Sequence, residues 1–130
     1  MTLIAVTRLD VRPLPGATIE SFPVSGTVYV GDSINIAGGS ALAATGAATA
    51  TAYARGICVA APNGGTAAVT GDRVDVVTWG RVTGFTGATA ETTAYTGGTA
   101  GHVADAAATV SHKLGVFRDA TTLFVQPELH

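Results

Sequence analysis

The chain holds a single cysteine, a single methionine and a single tryptophan in 130 residues, and only 12% of it is charged. One cysteine excludes an internal disulfide and any multi-cysteine metal site. Cys58 lies in the apolar run Ile57-Cys58-Val59-Ala60, the setting of a buried, inert thiol. There is no Lys/Arg run and no basic patch interleaved with aromatics, and the formal net charge is −2. Nucleic-acid binding therefore lacks its electrostatic footprint. No run of about 18 apolar residues is present to span a bilayer. No charged-then-apolar leader opens the chain, and Met1-Thr2-Leu3-Ile4 reads as a mature cytosolic start.

The motifs of common chemistry are missing too. There is no Gly-x-x-x-x-Gly-Lys-Ser/Thr loop to cradle phosphate and no Gly-x-Ser-x-Gly elbow around Ser25, Ser33, Ser40 or Ser111. The histidines are His102, His112 and His130. His102 and Asp105 stand three apart, but zinc needs three or four ligands in close geometry. The residues favour a loop position for His102, a strand position for His112 and a disordered terminus at His130. The expectation is a protein without enzymatic activity, metal or cofactor.

What is abundant is small. The chain has 24 alanines, 20 threonines and 17 glycines, while Phe, Trp and Tyr together make 6%. Alanine adds little to the roughly 1.5–3 kcal/mol that a fully buried Val, Leu, Ile or Phe contributes. The core is thin for its length, which points to stability shared with partners.

Two stretches say nearly the same thing. Gly31-Asp32-Ser33-Ile34-Asn35-Ile36 and Gly71-Asp72-Arg73-Val74-Asp75-Val76 each read as a Gly-Asp turn followed by a strand of alternating polarity. Turn capping accounts for Asp32 and Asp72 better than a catalytic dyad does. A second echo joins Tyr53-Ala54-Arg55-Gly56-Ile57-Cys58 to His112-Lys113-Leu114-Gly115-Val116-Phe117. Glycine inside a strand marks a bulge or a close backbone approach, so Gly56 and Gly115 are structural. The four motifs suggest a duplicated half-barrel or sandwich.

The whole chain reads as all-β, a small barrel or sandwich of short strands over residues 26–130, preceded by an extended N-terminal arm over 1–25. Strands are expected at 27–30, 33–36, 49–60, 92–96, 102–104, 110–117 and 121–125. Residues 66–70 and 72–79 read as a pair of strands joined at Gly71, and Gly80 and Gly84 interrupt the chain beyond Trp79. In the arm, Pro13, Pro15 and Pro23 forbid a central strand or a helix over 12–25. Its apolar residues Leu3, Ile4, Val6, Leu9, Val11 and Leu14 must pack on something. They either cover this chain's own edge or add a strand to a neighbour.

In their order and spacing, several stretches between residues 26 and 127 carry a resemblance. They are Gly31-Asp32-Ser33-Ile34, Ala54-Arg55-Gly56-Ile57-Cys58-Val59, Gly71-Asp72-Arg73-Val74-Asp75-Val76 with Trp79-Gly80, Gly101-His102-Val103-Ala104-Asp105-Ala106, Leu114-Gly115-Val116, and Thr122-Leu123-Phe124-Val125-Gln126-Pro127. The chain resembles the small Gly/Ala-rich decoration (cement) proteins of tailed-phage heads. The resemblance implies a trimer made in the host cytoplasm and carried on the outer surface of the virion. It would bind the major capsid protein and bridge its subunits. The arm, with Leu3, Ile4, Val6, Leu9, Val11, Pro13, Leu14 and Pro15, would be the interface; that assignment comes from its length and character and lies outside the matched stretches. A phage tail or fibre module, or a carbohydrate-binding β-module, is the alternative. It would require Trp79 to share a groove with Tyr29, Tyr53 or Tyr95.

Overall fold

A computed structural model describes residues 3–47 and 52–128. The protein is all-β. The strands are β1 (Leu3–Val6), β2 (Arg12–Pro13), β3 (Thr18–Pro23), β4 (Thr27–Tyr29), β5 (Ser33–Ala37), β6 (Ser40–Ala43) and β7 (Ala54–Ala60). They continue as β8 (Ala67–Val69), β9 (Arg73–Thr83), β10 (Phe85–Thr86), β11 (Thr93–Thr96), β12 (Val103–Ala104), β13 (Lys113–Phe117) and β14 (Thr122–Val125). One long sheet runs in the order β10-β1-β12-β11-β13-β14-β9-β7-β5-β6, and β4 pairs with β8 in a separate ribbon. Residues 49–51 of the strand expected at 49–60, and His130, lie outside the described residues.

Strand β9 is the hub. Its first half pairs with β7 on one side and β3 on the other, and its second half pairs with β14 and β2. Gly80 and Gly84 were expected to break this region, yet the strand runs through Gly80, where a side chain would strike Ala17. The sheet curls back on itself. An isolated bridge from Val24 to Ala41 brings the end of β3 to β6. On the other side, Thr7 donates to the Gly84 carbonyl, and β1 pairs with β10. Val28, Ile34, Ile57, Val76, Val82, Leu114, Phe117 and Leu123 fill the interior, where Phe85 meets Phe117 edge to face at 5.8 Å.

The Gly-Asp echo is one turn built twice. At Gly31 and Gly71 φ is +96° and +102°, the left-handed region that glycine enters without a Cβ penalty. The Asp32 carboxylate accepts from the Tyr29 amide at 2.9 Å, and the Asp72 carboxylate accepts from the Val69 amide at 3.0 Å. Each aspartate's own amide returns a bond to the carbonyl three residues back. The strands leading into the two turns, β4 and β8, pair with each other antiparallel. Residues 66–70 and 72–79 are thus not paired as expected. Each finds its partner elsewhere, because a turn this tight serves to redirect the chain out of the ribbon.

The glycine-strand echo also repeats one device. Opposite Ile34 and Asn35 stand Gly56 and Ala54, leaving Arg55 as the extra residue of a bulge. Opposite Ala94 and Tyr95 stand Gly115 and Lys113, leaving Leu114 as the extra residue. Each glycine follows the extra residue, and each presses on a neighbouring strand. A Cβ on Gly56 would run into the Val77 carbonyl, and one on Gly115 into the Phe124 carbonyl.

Of the segment expected as an arm, residues 3–25 pair with this chain's own strands. β1 lies between β10 and β12, and β2 and β3 run along β9. Ile4, Val11 and Val24 are buried in the common core. Pro13 and Pro23 sit at strand ends, as the missing N–H requires.

Candidate interaction surfaces

Among the described residues six large apolar side chains stand exposed: Leu3, Leu9, Ile19, Tyr29, Val69 and Trp79. Two of them, Tyr29 and Val69, share one face of a ribbon, and Leu9 follows the Arg8 that covers Tyr29. In the β4–β8 ribbon, Thr27 faces Val69 and Tyr29 faces Ala67, and all four point outward. Val28 and Ala68, one position along, are fully buried. Arg8, in the 3₁₀ turn Arg8–Asp10, lies over the Tyr29 ring at 4.9 Å. Leu9 follows it and is 73% exposed.

This surface is held by a partly buried ion pair. Arg8 Nη1 donates to Asp32 Oδ1 at 2.9 Å and to the Val30 carbonyl at 2.9 Å. The Asp32 side chain is 4% exposed and that of Arg8 29%. Gly101 leaves no room beside the carboxylate, where a Cβ would stand 2.6 Å from the Asp32 Cγ. Behind the turn lies a cavity of about 200 Å³ that includes Leu9, Val11, Val30 and Val59 in its wall. The sequence singled out Asp32 as a turn residue, and it is one. Its second role, anchoring Arg8 from 24 positions upstream, has no local signal.

The expected interface residues separate by burial. Ile4 and Val11 belong to the core, Val6, Pro13 and Leu14 are half-buried, and Leu3, Leu9 and Pro15 are exposed. Gly31, Asp32, Gly56 and Gly115 share the fold's interior or its bulges, while Asp72 is half-buried and Gly71 exposed.

A second surface surrounds Trp79, which is half-exposed and meets Phe124 edge to face at 4.9 Å. Arg118 stacks on Phe124, also at 4.9 Å. Tyr29 lies under Arg8, and Tyr53 packs against His112, so these two tyrosines serve other sites.

His112 was expected on a strand and instead immediately precedes β13, fully buried. Its Nε2 donates to the Ala54 carbonyl at 3.1 Å, and Nδ1 stands 3.6 Å from the Glu128 carboxylate. Buried this way, the ring ties β7 to the C-terminal segment and presents no face to a substrate. Among the described residues no group of three His, Cys, Asp or Glu side chains is arranged to hold a metal ion, and no helix is long and apolar enough to cross a membrane.

Cys58 is fully buried, and burial pushes its thiol from 9.0 up to about 12. The unfolded thiol ionises first, so the folded state keeps its full advantage below about pH 9 and loses it as pH rises toward 12. Urea unfolding at about pH 8 and about pH 11 is expected to show this alkaline loss, reduced in Cys58→Ala. An equal loss in both proteins would assign it to other groups.

Set against known protein families and curated proteins, the sequence matches none.

Proposed function

We propose that the chain is a decoration protein of a tailed-phage head. It binds the outer surface of the shell through the major capsid protein and bridges shell subunits as a homotrimer. The observation that carries this reading is the surface formed by Leu9, Tyr29 and Val69. Tyr29 and Val69 share the outer face of the ribbon, and Leu9, 73% exposed, follows the Arg8 that lies over Tyr29. A grouped apolar surface of this kind marks an interaction site rather than ordinary surface scatter. The Arg8–Asp32 pair holds it in one geometry, so little ordering is needed on contact.

The role requires no reactive group. It requires a rigid β scaffold, exposed apolar anchors and many copies side by side, because repetition offsets a weak individual affinity.

The test is co-sedimentation with heads assembled from the capsid gene of the same genome. The wild-type protein is expected to pellet with heads in a saturable way. Leu9→Asp places a charge where an apolar side chain is already 73% exposed, so folding is retained and binding falls by about tenfold or more. Equal binding by wild type and variant would remove this surface from the interface. Wild-type protein that never pellets would sink the reading itself.

A further inference from the structure

The register of four neighbouring strands sets up a second face with different chemistry. Thr93 pairs with Val116, Val116 with Phe124, and Phe124 with Arg81. Directly paired residues share a face, so these four side chains form one row across β11, β13, β14 and β9. Their in-pointing neighbours Ala94, Phe117, Leu123 and Val82 are fully buried, which places the row outward. The bulge at Leu114 turns that side chain into the core and leaves Lys113 outward, paired with Tyr95. Tyr95 and Trp79 therefore lie on the same face, on β11 and β9. Three strand spacings separate them, roughly 14 Å.

Between these aromatics lies an open groove of about 410 Å³ lined by Thr93, Lys113, Val116, Gln126, Pro127 and Glu128, with Gly115 in its floor. The face carries three cations, Lys113, Arg81 and Arg118, against one acid in the groove, Glu128. Lys113, Arg81 and Arg118 make no ion pair among the described residues. The one acid of the groove, Glu128, is already engaged. Its carboxylate accepts from the Lys113 amide at 2.8 Å and faces His112.

We propose that this face binds an acidic oligosaccharide. Trp79 and Tyr95 offer flat apolar surfaces for sugar rings, with Phe124 packed between Trp79 and Arg118, while Thr93 and Gln126 offer hydrogen bonds to hydroxyls. Arg81, Lys113 and Arg118 receive the carboxylates. A sugar polymer suits a shallow, extended site of this kind, where aromatic rings supply contact area and a few polar groups set orientation. The groove shares no lining residue with the cavity behind Arg8 and Leu9. The proposal is independent of shell binding and survives its failure.

Trp79 is the only tryptophan, so its fluorescence reports the site directly. The full chain is titrated with a uronic-acid tetrasaccharide, with the neutral tetrasaccharide cellotetraose and with an oligoglutamate peptide. The acidic sugar is expected to change Trp79 emission saturably and to bind more weakly as salt rises. The neutral sugar and the peptide are expected to do neither. Arg81→Gln should weaken binding by about tenfold, and Trp79→Ala, read by calorimetry, by a similar factor. Leu9→Asp should leave it unchanged. No binding of the acidic sugar, equal binding of the neutral one, or stronger binding of the peptide would each overturn the proposal.

Discussion

Valine at Gly56 or at Gly115 is expected to destabilise the chain by more than about 3 kcal/mol. Both glycines follow the extra residue of a bulge, and at both the space of a Cβ is taken by the carbonyl of a paired strand. Backbone cannot rotate away as a flexible side chain can. The β7–β9 or β13–β14 ladder must therefore separate locally to admit the larger residue. Overpacking a well-filled core typically costs about 1–3 kcal/mol. Here the obstacle is the ladder itself, so a loss of more than about 3 kcal/mol is expected, against a total stability of about 5–15 kcal/mol. Gly71 provides the contrast, since a side chain there would meet open space. Gly71→Ala is charged only for its left-handed backbone, about 1–2 kcal/mol. Urea unfolding of the three variants measures the difference. Gly56→Val and Gly115→Val melting with the wild type would remove the close-approach account of both bulges.

Asp32→Ala is expected to cost about 2–4 kcal/mol and Asp72→Ala only about 0.5–1.5 kcal/mol, although the two aspartates cap the same turn. Either change frees the backbone amide that the carboxylate capped. Only at Asp32 does it also strip the partner from a partly buried guanidinium. Arg8 then has to rehydrate, and the 3₁₀ turn that carries Leu9 loses its anchor. Asp32→Ala should accordingly weaken head binding beyond its effect on stability, measured below the melting transition, while Asp72→Ala should not. Equal stability losses would mean that the turn alone matters and that the ion pair contributes nothing measurable.

These two pairs of positions show where the sequence was legible. The Gly-Asp turns and the strand glycines depend on residues next to one another, so their spacing announces them, and the structure uses each motif twice as expected. Strand existence was readable over 27–29, 33–36 and 54–60 for the same reason. Partnership was not. That β8 pairs with β4 rather than β9, or that β9 continues through Gly80, depends on which distant strand covers which edge. β6, at Ser40–Ala43, was hidden by its small residues and flanking glycines, because an alanine-rich strand has almost no polarity alternation to detect.

The candidate surfaces divide in the same way. Leu9 was legible as an apolar residue in need of a partner, whereas Ile4 and Val11, alike in sequence, found theirs in the chain's own core. Neither Arg8 nor Phe124 carried a signal. Arg8 gains its place only by reaching Asp32, and Phe124 only by register, when β14 sets it beside Trp79. His112 was read as an ordinary strand residue because nothing local reveals that Tyr53, Ala54 and Glu128 converge on it.

The most direct test of the account is cryo-electron microscopy of heads from the same genome, assembled with and without this protein. The prediction is added density of three-fold symmetry on the outer shell, with the turn carrying Leu9 against capsid subunits and the Trp79 face toward solvent. Identical outer contours in the two preparations would contradict it.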